Sequence, residues 1–168
     1  RLFNGMIHPL RDFQIKGVIW YQGEGNVSQA NQYRDLFSTM IRRWRDVFGY
    51  EFPFYFVQIA PYDYVDRNAA YLREAQLQTL SVSGTGMVVT MDIGNRTDIH
   101  PRNKQEVGRR LALWALAKDY ARKVDYSGPL FREASFDGGE ARVTFDHVGK
   151  GLATNDGKPP SDFQIAGQ

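Results

Sequence analysis

Short apolar runs alternate with amphipathic segments along the first two thirds of the chain. Runs rich in β-branched and aromatic residues predict buried strands at residues 16–21, 53–60 and 87–91. Apolar residues spaced three and four apart predict helices over residues 28–48, over residues 67–80, and from Pro101 to about residue 120. Strand and helix thus alternate three times, which is typical of βαβ units around a parallel sheet with helices on both faces.

A different pattern begins near Ser127. Residues 141–146 alternate between polar and apolar with a period of two, and glycines and the pair Pro159-Pro160 interrupt the region. This pattern indicates an antiparallel hairpin. We therefore expect an α/β domain over residues 1–126 and the start of a β-rich subdomain, left incomplete, over residues 127–168. An incomplete sheet leaves an exposed edge through which chains can associate.

Composition and charge narrow the function classes. The chain has 168 residues, of which 42% are hydrophobic, enough for one core. Its net charge of +2 comes from interspersed charges, so no clustered basic surface indicates a nucleic acid or an anionic membrane as a partner. The absence of cysteine excludes disulfides, thiolate metal sites and cysteine nucleophiles. No apolar run approaches the roughly 20 residues of a membrane-spanning helix.

Metal and nucleotide motifs are also absent from the sequence. No His-x-x-x-His pair and no carboxylates at calcium-loop spacing occur, so we predict neither a metal nor another cofactor. No glycine-rich phosphate loop follows a predicted strand, which argues against a nucleotide-binding domain.

Polar loops follow each of the three predicted strands. Parallel α/β sheets bind ligands at the carboxyl ends of their strands, where these loops meet. We therefore expect one polar edge of the sheet, formed by residues 22–26, 58–62 and 92–100.

Among three histidines, His100 has the strongest functional context. Asp98 stands two residues before it, and an acid can hold an imidazole in one tautomer and stabilise its protonated form. A competing interpretation is that Asp98 caps a helix that begins at Pro101. His8 and His147 are interpreted as surface or packing residues.

Glu24 lies on the first polar loop between two glycines, which allow a sharp turn and close approach to a ligand. If Glu24 and Asp98 meet at the sheet edge, each can orient His100. Arg73, Glu74 and Gln76 offer further polar groups on the second helix, although a solvated helix face is the competing interpretation.

Five segments, in this order, resemble the sialate O-acetylesterase family of carbohydrate esterases in the SGNH-hydrolase superfamily. They are Asn4-Gly-Met-Ile-His-Pro-Leu10, Gly17-Val-Ile-Trp-Tyr-Gln-Gly-Glu-Gly-Asn26, Phe56-Val-Gln-Ile-Ala60, Leu72-Arg-Glu-Ala-Gln76 and Asp98-Ile-His-Pro-Arg-Asn-Lys-Gln105. The resemblance implies a flavodoxin-like three-layer α/β/α sandwich. It also implies serine-dependent hydrolysis of acetyl esters on sugars.

The resemblance implies roles for individual residues. His100 matches the general base and Asp98 the adjacent acid, while Glu24 matches the glutamate that holds the histidine in related acetylxylan esterases. The Gly23 amide and Asn26 are expected to bind the oxyanion. The full set of expected oxyanion- and substrate-binding residues is Gln22, Gly23, Asn26, Gln58 and Arg73.

Two departures from the family pattern affect this interpretation. Gly25 stands where the family loop has a serine, and this change favours the alternative of a non-catalytic carbohydrate-binding or structural module. The family nucleophile belongs to a Gly-Gln-Ser-Asn segment upstream of every match. None of the chain's own serines has that context, and the chain begins with Arg1. We expect a piece of a longer enzyme, inactive by itself.

The expected substrate is an acetylated sugar. The sequence does not distinguish a sialic acid from a xylan-type glycan. The family implies a periplasmic or extracellular location.

Overall fold

The computed structural model describes residues 2–64, 69–154, 156–160 and 163. The chain divides into two compact units, Arg1–Tyr126 and Ser127–Gln168. In its described part, the first unit contains a parallel sheet with α-helices, and the second contains an antiparallel pair of strands.

The parallel sheet consists of β1 (Val18–Trp20), β2 (Phe54–Val57) and β3 (Thr85–Val88) in the order β1-β2-β3. Each strand is shorter than its sequence run, and β3 starts and ends earlier than the predicted residues 87–91. The chain turns after Val88, because the Thr90 hydroxyl donates to the carbonyl of Gln58 and the Thr90 carbonyl accepts from the Ile93 amide.

The three main helices are α1 (Ala30–Phe48), α2 (Ala69–Gln78) and α3 (Lys104–Lys118). Gly49 ends α1 as predicted, with a left-handed φ of 78° that suits glycine. The predicted start of α2 at Arg67 lies outside the described residues. The predicted start of α3 at Pro101 is wrong, because the Asn103 side chain caps the helix by accepting from the Glu106 amide at 3.2 Å.

Alternate residues of β2 pack on opposite faces of the sheet. On one face, the Phe37 ring of α1 lies 5.9 Å from that of Phe54 and 5.1 Å from that of Phe56. On the other face, Tyr55 packs 5.9 Å from Trp114 of α3, measured between ring centroids. Helices α1 and α2 also contact each other. The predicted three-layer α/β/α arrangement is thereby confirmed.

The second unit contains the antiparallel hairpin that the alternating pattern predicts. Strand β4 (Leu130–Asp137) pairs with β5 (Glu140–Asp146). Gly138 and Gly139 connect them with φ values of 56° and 84°, the double positive φ that favours a tight hairpin turn.

Two further findings concern the described ranges alone. No helix among them has the length and apolar content required to cross a membrane. Nor do they include a group of histidine and carboxylate side chains arranged to hold a metal ion.

Candidate active site

The loop after β1 is ordered by its own side chains. The Gln22 side-chain amide donates to Asn26 Oδ1 at 2.7 Å, and the Asn26 backbone amide donates to the Gly23 carbonyl at 2.8 Å. Because Asn26 Oδ1 already accepts a hydrogen bond, the Asn26 Nδ2 group is the part of that side chain left to donate. A donor of this kind is what a developing oxyanion requires.

Gly23 is required where this loop meets the interior. Its φ is 153°, and an added Cβ would lie 2.9 Å from Ile59 Cγ2 and 3.1 Å from Gln76 Nε2. A larger residue would therefore strain the backbone and collide with two elements. The absence of a side chain allows the first loop to pack directly on the end of β2 and on α2.

Gln76 connects the strand ends from a fully buried position. Its Oε1 accepts from the Ile59 amide at 2.9 Å, and its Nε2 lies 3.3 Å from the carbonyl oxygens of Gln22 and Val57. The solvated-face interpretation of this helix is therefore wrong at Gln76. Gln76 lies four residues after the buried Leu72, and this helical spacing places both side chains on the same buried face.

Gln58 is also buried and engaged. Its Nε2 donates to the backbone carbonyl of Arg73 at 2.9 Å, and its own backbone carbonyl accepts from the Thr90 hydroxyl at 2.9 Å. The side chain thus fixes α2 against the strand end.

Glu24 begins the short helical turn that precedes α1, and its side chain is half-buried. Burial, with the charge of Glu24 as a second cause, raises the pKa of Tyr21 and raises that of Tyr64 to about 12. Within the described part of the chain, no hydrogen bond or ion pair joins Glu24 to His100. The orienting role of Glu24 stays a prediction.

Asp98 and His100 do lie together on the loop after β3. The Asp98 Oδ1 atom accepts from the His100 backbone amide at 2.9 Å and lies 4.0 Å from His100 Nδ1. The His100 side chain is 89% exposed. Since Asn103 caps α3, the interpretation of Asp98 as its cap is wrong. The acid instead closes a local turn beside the imidazole.

An arginine that the sequence reasoning missed anchors this loop. Arg110 of α3 contacts both carboxylate oxygens of Asp92 at 2.7 and 2.6 Å, and it donates to Glu106 at 2.8 Å. The hydrogen bond from Arg110 is the main cause of the lowered pKa of Asp92. Hydrogen bonds from Arg109, the larger cause, and from Arg110 lower the pKa of Glu106 to about 2. The four-residue spacing of Glu106 and Arg110 in the sequence is the pattern that could have predicted their ion pair on one helix face.

In the described part of the chain, the loop after β1 thus carries ordered amide groups, and the loop after β3 carries an exposed imidazole with an adjacent acid. Of the described serines, none is hydrogen-bonded to His100. An imidazole of this kind can accept a proton from a nucleophile, and amide donors of this kind can stabilise negative charge on a carbonyl oxygen.

Comparison with known proteins identifies related carbohydrate esterases. A family model described as carbohydrate esterase, sialic acid-specific acetylesterase matches residues 1–117. The sialate O-acetylesterase of Rattus norvegicus is 39% identical over 155 residues, covering 77% of this chain and 28% of that protein. The sialate O-acetylesterase of Homo sapiens is 36% identical over 152 residues, covering 77% of this chain and 29% of that protein.

A solved structure is similar over most of the chain. The crystal structure of a carbohydrate acetylesterase from Xanthomonas citri superposes with a TM-score of 0.83 at 49% identity, covering 86% of this chain and 35% of that one. The chain spans less than a third of the length of the curated relatives it matches. With the family model matching well over half of its residues, the chain belongs to the sialic acid-specific acetylesterase family of carbohydrate esterases.

Proposed function

We propose that the full-length protein is a carbohydrate O-acetylesterase and that this chain supplies its general base. The observation that carries the proposal is the pair Asp98 and His100, with 4.0 Å between carboxylate oxygen and Nδ1, on a strand-end loop of a chain from this family. The exposed imidazole leaves Nε2 accessible to a reacting group.

In the proposed mechanism, a serine upstream of this chain attacks the acetyl carbonyl of the sugar ester. His100 takes the serine proton and then donates it to the departing sugar hydroxyl. Water, deprotonated by the same histidine, then releases acetate. Asp98 stabilises the imidazolium that forms in each step.

The tetrahedral intermediate carries negative charge on the former carbonyl oxygen. We propose that the Gly23 amide and the Asn26 side chain donate to that oxygen. The Gln22–Asn26 hydrogen bond supports this assignment, because it orients the Asn26 amide before substrate arrives.

The substrate proposed is an acetylated sugar of the sialic acid or xylan type. The names of relatives support an acetylated sugar, since the mammalian proteins are sialate O-acetylesterases and the Xanthomonas protein is a carbohydrate acetylesterase. We propose that hydrolysis takes place in the periplasm or outside the cell, where such glycans occur.

A serine-directed phosphonate tests the proposal. The full-length gene product should release acetate from 9-O-acetylated sialic acid or from acetylxylan, and the phosphonate should stop it with one covalent adduct. Peptide mapping should place that adduct on a serine upstream of residue 1. Labelling of a serine within residues 1–168, or acetate release that the phosphonate does not affect, would contradict the proposed arrangement.

A further inference from the structure

The loop that carries His100 runs from residue 89 to residue 103 and contains no helix or strand. Within this His100 loop, Asp98 accepts from the His100 backbone amide, and the Thr97 amide donates to the Asn95 side chain at 2.9 Å. The imidazole itself is 89% exposed, so surrounding side chains do not hold it by packing. Its position therefore depends on what fixes the backbone of the loop.

Arg110, in the second turn of α3, fixes the start of the His100 loop. Its Nη1 group donates to the Val89 carbonyl at 2.7 Å. The Nη1 and Nη2 groups also donate to the two carboxylate oxygens of Asp92, at 2.7 and 2.6 Å. Such a bidentate pair of guanidinium and carboxylate fixes orientation as well as distance. The chain is thereby held against α3 where it leaves β3.

The same arginine is connected to the other end of the His100 loop. Arg110 Nε donates to Glu106 at 2.8 Å. The Glu106 backbone amide in turn donates to the side chain of Asn103, the last residue of the loop, at 3.2 Å. Both ends of the loop are thus tied to one guanidinium. Holding the ends of a loop together restricts the conformations open to the residues between them.

A second ion pair reaches the middle of the His100 loop, but it is more exposed. Arg96 lies 2.9 Å from Asp63 of the loop after β2, and both side chains are mostly exposed. The Asp63 amide also donates to the Arg96 carbonyl at 2.9 Å, a contact that needs neither side chain. The Arg110 side chain is only 22% exposed. Because water screens exposed pairs more than partly buried ones, Arg110 is the side chain whose removal should loosen the loop most.

We propose that Arg110 is a positioning residue for the general base, because it ties both ends of the His100 loop to α3 and so sets the place of the imidazole. This inference rests on the proposed esterase function, in which His100 takes the serine proton. Arg110 acts through the loop, since no hydrogen bond joins it to His100 in the part of the chain that the structure describes. A catalytic group misplaced by about 1 Å can lower a rate about 10²-fold, so loss of Arg110 should appear in kcat.

Steady-state acetate release from an aryl acetate by the full-length gene product tests this role with Arg110→Met, assayed well below the Tm of the variant. We expect kcat to fall about 10- to 100-fold while KM changes little. Arg109→Met is the matched control. Arg109 is the neighbouring residue of α3 and also donates to Glu106 at 2.7 Å, but it has no hydrogen bond to residues 89–103 in the described chain. The control should keep a normal kcat.

A second background separates positioning of the base from a general loss of structure. In protein that already carries His100→Ala, Arg110→Met should have little further effect on kcat, because the group that Arg110 positions is absent. The same loss of kcat in both backgrounds would show that Arg110 supports the fold rather than the base, and it would overturn the inference.

Asp92→Asn repeats the test in a variant that keeps the shape of the side chain and loses its charge. Its kcat should also fall, by a smaller factor, and it decides the question alone if Arg110→Met does not fold. Failure of the esterase proposal looks different, because the unaltered protein would then release no acetate or His100→Ala would keep a normal kcat. If the unaltered protein is active and depends on His100, but Arg110→Met and Asp92→Asn both match Arg109→Met in kcat, the positioning role is refuted.

Discussion

The buried side-chain amide of Gln76 lies 3.3 Å from the backbone carbonyl oxygen of Gln22, 54 residues earlier in the chain. This contact connects α2 to the loop that follows β1. Through its other end, Gln76 accepts from the Ile59 amide after β2. One side chain therefore sets the relative position of two of the loops that form the candidate active site.

Replacing Gln76 with leucine should destabilise the first unit. The Ile59 amide would lose its acceptor in a fully buried position, at a cost of about 1–3 kcal/mol. Urea denaturation followed by tryptophan fluorescence measures the change in the free energy of unfolding. Gln78→Leu, at an exposed position of the same helix, is the control and should have little effect. Equal stability of Gln76→Leu and the unaltered protein would show that the contact is unimportant.

Asn26→Ala should lower kcat of the full-length enzyme by about 10²- to 10³-fold, because it removes a proposed oxyanion donor. We expect KM to change much less, since the interaction strengthens in the transition state. Steady-state acetate release measures both parameters. Asn31→Ala, at an exposed position near the start of α1, provides the control. A kcat within a few-fold of normal would remove Asn26 from the mechanism.

Gly25→Ser restores the family residue and tests whether its absence disables the site. An added Cβ at Gly25 meets nothing within 4 Å, so serine should fit and raise stability by about 0.5 kcal/mol. We expect acetate release to remain within a few-fold of the unaltered enzyme. Gly23→Ser should instead destabilise by about 1–3 kcal/mol, because its φ is 153° and Ile59 blocks the added atom. Activity that appears only with Gly25→Ser would favour the non-catalytic module.

The ion pairs of Arg110 with Asp92 and Glu106 should make the free energy of unfolding depend on pH in the acid range. The pKa of Asp92 and that of Glu106, about 2, lie below their ordinary values of 3.8 and 4.5 in the folded protein. Their stabilising contribution is therefore complete above about pH 4.5 and is lost as the pH falls towards 2. Arg110→Met should lower Tm most at neutral pH, and its difference from the unaltered protein should shrink below pH 4.5. A difference that is constant from pH 7 to pH 2.5 would contradict this assignment.

The order of strands and helices follows from local patterns and was predictable. Strand β2 is buried at every position, and an unbroken apolar run is the expected signal for such a strand. The end of α1 was also predictable, because Gly49 adopts the left-handed conformation that commonly ends a helix. The end of β3 was not predictable in this way, because it depends on the hydrogen bond from Thr90 to the distant Gln58.

In the candidate active site, too, local contacts were predictable and contacts between distant residues were not. The proximity of Asp98 to His100 is local and could be read from two positions in one loop. The contacts of Gln76 and Arg110 join groups 54 and 18 residues apart, and single-sequence patterns carry no such pairing. Whether Glu24 meets His100 likewise depends on how two loops pack at the sheet edge, which local patterns do not encode.

The role of His100 as general base is the central claim, and acetate release by His100→Ala tests it most directly. Full-length protein with this substitution should lose about 10²- to 10⁴-fold in kcat at neutral pH. His8→Ala is a matched control, since His8 also precedes a proline and lies in another part of the chain, and it should retain normal activity. Activity of His100→Ala equal to that of His8→Ala would contradict the account.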